Sequence, residues 1–185
     1  MLTLLAALVV CQPIVQERPV VEMTVYQRGV FEIELYPDKA PQLVAHFLAL
    51  VDEKFYNGIL FHRVVDKWVA QTGDPTTRTM TREEALSKEV GSYGEIKGTG
   101  DAGSGKTVPF EDNDVSHLPG VVGMALESPA SATGDSQFFI NLEDNRRLDH
   151  KYCAFGKVTV GLDRIKTIRR GDPIISIRRK PTALP

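Results

Sequence analysis

Only two cysteines stand among the 185 residues, so no disulfide scaffold holds this chain together. Charge of one sign is lacking too. Against 24 acidic side chains there are 22 basic ones, a net charge of -2 without the basic footprint of a dedicated nucleic-acid binder. The apolar run Leu2 to Val10 stops at nine residues, too short to span a bilayer. The four histidines, His46, His62, His117 and His150, have no partners at metal-ligand spacing, so no resident metal is expected. Ser128, Ser131 and Ser136 lack a nucleophile elbow. Glu83-Glu84 and Glu143-Asp144 read as solvated faces rather than a glycosidase pair.

What is present is the composition of an ordinary soluble globule, 42% hydrophobic and 25% charged, long enough to bury one core without staples. Residues 1–19 read as a signal-like or flexible segment, 20–179 as one domain and 180–185 as a tail. Leu2 to Val10 fits the apolar region of a signal peptide, and Cys11 suggests a lipoprotein junction. No Lys or Arg precedes the run, no small-x-small site ends it, and Val10 is bulky for a residue before a lipidated cysteine. Export to an extracytoplasmic site or membrane tethering is the expectation; a cytoplasmic protein is the alternative. Cys153, in the apolar run Tyr152 to Phe155, reads as a small buried hydrophobe.

From residue 20 the periodicities are legible. Phe31, Ile33 and Leu35 alternate with Glu32 and Glu34, and Val20 to Tyr26 precedes them across Gln27-Arg28-Gly29, which together predict a hairpin. Ala40 to Val51 puts Val44, Phe47, Leu48 and Val51 on one helical face, with Pro41 in the first turn. A second helix is expected over Leu162 to Arg170, with Ile165 and Ile168 inward and Gly171 as its stop. Short apolar runs between them, punctuated by Gly and Pro, predict a mainly β fold: a closed antiparallel barrel capped by two helices.

Between Asp74 and Phe110 the pattern fails. Thr81 to Glu84 reads as a capping box opening a short helix, and six of the fifteen glycines follow between Gly91 and Gly105. Such long excursions are often functional. Within it, Gly100 to Thr107 (GDAGSGKT) satisfies the phosphate-loop pattern letter for letter. That chemistry needs a buried strand before Gly100 and a helix after Thr107. Neither is written there, so no nucleotide is expected and a glycine loop is preferred.

Polar side chains embedded in apolar strands are the remaining signal: Arg63 within Phe61 to Val65, Gln71 at the end of Trp68 to Gln71, and Gln137 before Phe138-Phe139-Ile140. Alternation places Phe61, Arg63 and Val65 on one face of the first of these, with His62 and Val64 on the other. An apolar pocket floor with a few polar groups is how ligand sites look.

These segments resemble a known family. FHRVVDKWVAQTGDP (Phe61 to Pro75) is similar to the signature of the cyclophilin-type peptidyl-prolyl cis-trans isomerases. So are GDSQFFIN (Gly134 to Asn141), Leu148-Asp149 and FGKV (Phe155 to Val158), in the same order along the chain. The resemblance implies an eight-stranded antiparallel barrel with two capping helices. It also implies catalysis of rotation about Xaa-Pro bonds without a cofactor, on proline-containing segments of client proteins, by a monomer. Arg63 would be the catalytic arginine, Gln71 its positioning partner, and Phe139, with Trp68, Val69 and Leu148, the proline pocket. Ala125, Leu126 and Gln137 would line the adjoining groove, with Tyr152 and His62 at its edge.

The departures from the family pattern are Trp68 where Phe is commoner, Thr72 for a usual glycine, and Arg147 where cyclosporin-sensitive members carry Trp. The last implies weak cyclosporin binding. The segment of about residues 76–97 has no counterpart in minimal members.

Overall fold

The computed structural model describes residues 18–181; Leu2 to Val10 and Cys11 lie outside them. The chain opens with the hairpin expected. β1 (Val20–Val25) and β2 (Gly29–Leu35) bury alternate residues, and Met23 faces Phe31 across the ladder. The turn between them is made by Gln27 and Gly29, both at positive φ, where glycine is relaxed.

Helix α1 (Pro41–Asp52) follows, with Pro41 in its first turn and Leu43, Val44, Phe47, Leu48, Leu50 and Val51 buried. Ala40 offers no side-chain cap. The carboxylate of Glu111, from a loop much later in the chain, accepts hydrogen bonds from Gln42 N and Leu43 N instead (3.1 and 2.9 Å). A negative group at a helix N-terminus satisfies orphan amides and complements the macrodipole. The helix packs Phe47 against Tyr56, Phe138 and Phe155, with ring centroids 5.2–5.5 Å apart.

Short strands complete the sheet: β3 (Arg63–Val65), β4 (Val69–Thr72), β5 (Val121–Met124), β6 (Phe138–Asn141), β7 (Ala154–Val160) and β8 (Ile174–Arg179). All pairings are antiparallel, in the order β3-β4-β6-β5-β7-β2-β1-β8. The expected eight strands are therefore present, but among the described residues the ladder is a curled half-barrel that ends at β3 and β8, not the closed barrel the sequence suggested. The chain just before each edge strand bridges the gap: Phe61 N donates to Asp172 O and Gly171 N to Phe61 O, both at 2.9 Å. Residues 58–61 and 171–174 run opposite each other as single bonds and one bridge, too irregular to make a continuous ladder.

The second α-helix is a correction of type. Leu162–Thr167 is a six-residue 3-10 helix. Ile165 and Ile168 are buried as expected, and Gly171 takes positive φ. A three-residue spacing between inward side chains suits 3.0 residues per turn. The polar side chains of the segment also favour tightening: Thr167 Oγ1 donates to Arg164 O at 2.7 Å, and the Arg169 guanidinium donates to Lys166 O at 2.6 Å.

The insertion is ordered against the sheet. The capping box is made as read, with Thr81 and Glu84 satisfying each other's amides at the start of α2 (Arg82–Ser87). Ala85 and Ile96 bury themselves against Leu60, and Met80 packs onto them. Arg82 and Arg28 both donate to Asp172, which is fully buried between them. At the base of the insertion, buried Asp74 accepts from Thr76 N (2.8 Å) and from Gly100 N (2.5 Å), stapling its entry to its exit.

Candidate active site

Beside the main core lies a smaller apolar cluster. Val69, Phe139 and Leu148 form its buried part, with Trp68, Ala125 and Tyr152 packed against them. Strand pairing explains the assembly. Gln71 faces both Arg63 on β3 and Phe139 on β6, so one cross-strand row carries all three residues to the same level of the sheet. Gly123 on β5 also faces Phe139, and a side chain there would run into its ring and into His117.

The Phe139 ring is fixed from both sides: it stacks on His117 (5.7 Å, 23°) and meets Tyr152 edge-on (5.7 Å, 85°). His117 is itself buried. One ring nitrogen lies 3.0 Å from Tyr152 O and the other 3.1 Å from the Asn141 amide. Asn145 joins that network to Trp68 O (2.9 Å), so a polar frame holds the apolar floor. Burial pushes the His117 pKa down, keeping the ring neutral.

Arg63 forms the polar wall. Nη1 of its guanidinium donates to Gln71 Oε1 (3.1 Å) and its Nε to Tyr93 O (2.6 Å). Gln71 Nε2 donates to Gln137 Oε1 (3.0 Å), and Gln137 Nε2 donates to Gly100 O and Ala102 O (both 2.8 Å). The guanidinium lies 4.5 Å above the Trp68 ring, and the Arg147 guanidinium lies 5.0 Å from the same ring. Burial lowers the Arg63 pKa. An arginine starts so high that it stays charged at neutral pH.

A cleft of about 490 Å³ joins these parts, lined by His62, Arg63, Trp68, Val69, Gln71, Ala125, Leu126, Phe139, Leu148 and Tyr152. Gln137 lines an adjoining cleft of about 400 Å³ with Ala125, Leu126 and Thr133. All eleven residues singled out from the sequence therefore come together in one place. His62 corrects the alternation argument. Regular strand begins only at Arg63, so Phe61 packs into the main core with Val64, while His62 is fully buried yet faces the cleft beside Arg63. Thr72, at a usual glycine position, is buried and donates to Leu60 O at 3.0 Å, so its hydroxyl is satisfied.

Sequence reasoning missed the opposite wall: Tyr93, Glu95, Thr99 and Asp101 belong to the insertion and the glycine loop. The loop carries neither a preceding buried strand nor a following helix. Its Ser104 and Gly105 amides donate to the Asp135 carboxylate (2.8 and 2.9 Å).

Comparison with known proteins shows the family. The family described as cyclophilin type peptidyl-prolyl cis-trans isomerase/CLD matches residues 20–182. The chain belongs to the cyclophilin family of isomerases. Among its relatives, Bacillus subtilis peptidyl-prolyl cis-trans isomerase B is 35% identical over 147 residues, 80% of this chain and 88% of the relative. Caenorhabditis elegans peptidyl-prolyl cis-trans isomerase 10 is 40% identical over 144 residues, 76% of each chain. A solved cyclophilin type isomerase of Cryptosporidium parvum superposes with a TM-score of 0.71 at 22% identity, covering 89% of this chain and 99% of its own, which shows the shared fold. The same protein has been crystallised in the presence of the dipeptide Ala-Pro. This cyclophilin is a peptidyl-prolyl cis-trans isomerase.

Proposed function

We propose that Arg63 is the catalytic group of this isomerase and that the Val69, Phe139 and Leu148 floor receives the substrate prolyl ring. The observation that carries the reading is a guanidinium held from two sides at the edge of a closed apolar floor. The reaction explains why those are the groups required. Rotation of an amide faces a barrier of about 18–20 kcal/mol because resonance is lost at the twist. No bond breaks, so no nucleophile or general base is called for. At 90° the prolyl nitrogen regains its lone pair and becomes a hydrogen-bond acceptor. A guanidinium N–H aimed at it binds the twisted state better than either planar isomer, and only such differential binding accelerates the reaction. The apolar floor holds the ring while the preceding carbonyl swings, and His62, Trp68 and Tyr152 border it.

Gln71 orients Arg63, and Ala125, Leu126 and Gln137 receive the peptide on the side of the second cleft. The substrates are exposed Xaa-Pro segments of folding client proteins, acted on by the monomer without metal, cofactor, nucleotide or nucleic acid. The Ala-Pro dipeptide present with the related structure supports that substrate class.

The test is NMR exchange spectroscopy on a short Ala-Pro peptide. Wild type accelerates exchange. Arg63→Ala lowers the catalysed rate by about 10²–10³-fold, the usual effect of removing one preorganised donor, while peptide binding persists. An Arg63→Ala protein that is folded and equally fast refutes the assignment.

A further inference from the structure

Arg63 is held by two acceptors, and only one of them, Gln71, lies on the sheet. The other is the backbone carbonyl of Tyr93, in the insertion. Residues 89–97 form a small hairpin: Val90 bridges Ile96, Gly91 N donates to Glu95 O (2.9 Å), and Lys97 N donates to Glu89 O (3.0 Å). The hairpin lies along the outer edge of β3. Ile96 N donates to His62 O at 2.8 Å, and Glu95 bridges Arg63 in antiparallel register.

Its tip is built around one side chain. The Glu95 carboxylate accepts from Tyr93 N at 2.9 Å, which fixes the peptide unit next to the carbonyl that Arg63 uses. Gly91 leaves room for that carboxylate, because any Cβ there would collide with it. Gly94, at positive φ, completes the turn against Val65.

We infer that the insertion is part of the catalytic apparatus and that Glu95 is a positioning residue, setting the Tyr93 carbonyl so that it fixes the plane of the Arg63 guanidinium. One acceptor leaves a guanidinium free to pivot about that bond. Two acceptors on different nitrogens, one on each side, define its plane and leave the remaining N–H groups aimed at the cleft. A small misplacement of a catalytic group can cost about 100-fold in rate. The inference rests on the role proposed for Arg63.

The experiment compares Glu95→Ala, Glu95→Gln and Arg63→Ala with wild type in the Ala-Pro peptide exchange assay, separating kcat from KM. It also records the Arg63 Nε–H signal in each. Glu95→Ala is expected to lower kcat by about 10- to 100-fold, with KM within about twofold, and to shift and broaden the Arg63 signal. Glu95→Gln keeps an oxygen for Tyr93 N, so it restores both the rate and the signal. If Glu95→Ala retains full kcat while Arg63→Ala loses it, the inference is overturned and the reading of Arg63 stands. If Arg63→Ala is itself as fast as wild type, that reading fails and takes the inference with it. Equal losses in Glu95→Ala and Glu95→Gln would overturn it as well, since charge and not geometry would then be at work; so would a change in KM alone.

Discussion

His62 gives the protein an acid weakness that can be isolated. Its ring is fully buried beside Arg63, neither nitrogen has a hydrogen-bond partner among the described residues, and burial pulls its pKa from 6.5 down to about 4. The unfolded chain therefore binds a proton between about pH 6.5 and 4 that the folded chain refuses. Stability is at its full value above pH 6.5 and falls as pH drops through that window. Two to three pH units at about 1.4 kcal/mol each make the loss ~3 kcal/mol, a large share of an ordinary domain's stability. His117, buried and depressed in the same direction, adds to the slope. The carboxylates held low by ion pairs, Asp38, Asp52 and Asp114, start from 3.8 and are lost only below it, so they do not obscure the histidine window. The variant is His62→Leu, measured by urea unfolding at half-unit steps from pH 7.5 to 4.5. Trp68, the single tryptophan, serves as the fluorescent reporter. At pH 7 the variant is expected within about 1 kcal/mol of wild type, since replacing an unpaired buried polar group by an apolar one of similar size is close to neutral. Below pH 6.5 its stability should fall by about 2–3 kcal/mol less than that of wild type. Two parallel stability curves across the window would show that His62 is not buried neutral, and the reasoning fails.

Gly123→Ala sets a methyl against the Phe139 ring and His117, so it should destabilise by about 1–3 kcal/mol and raise KM for proline peptides more than it lowers kcat. A thermal melt with the exchange assay checks both. Cyclosporin is expected to bind weakly, because Arg147 is an exposed cation over Trp68 where sensitive relatives offer an indole. Calorimetry should show a gain in affinity for Arg147→Trp.

The hairpin of β1 and β2, the core face of α1 and the members of the cleft were legible because their signals are side-chain signals. Alternation marked Phe31, Ile33 and Leu35, and polar residues set among aromatics marked Arg63, Gln71 and Gln137. The features that escaped are carried by backbone. Nothing in the letters of Tyr93 announces a carbonyl that reaches Arg63, and Ile96 N pairs with His62 O whatever its side chain. A hairpin was nonetheless written there: Val90 and Ile96 flank a glycine-bearing turn, a pattern obscured by the density of glycines beyond it. The helix over residues 162–170 failed for a different reason. Inward positions three apart fit either helix type, and the competition for carbonyls by Thr167 and Arg169 is settled only in three dimensions.

The polar wall also has a direction that follows from chemistry. Arginine can only donate, so Gln71 must present its oxygen to Arg63 and its amino group to Gln137. Gln137 must then accept through its oxygen and donate onward, which it does to the carbonyls of Gly100 and Ala102. Reversing either amide would set N–H against N–H. The glycine loop is thus the accepting end of a chain that starts at the arginine. A phosphate cradle needs the opposite polarity, with amides turned toward the ligand. Here the Ser104 and Gly105 amides are turned toward Asp135, and the carbonyls just before them toward Gln137. The residues that match a phosphate motif by letter therefore fix which way the two glutamines of the cleft face.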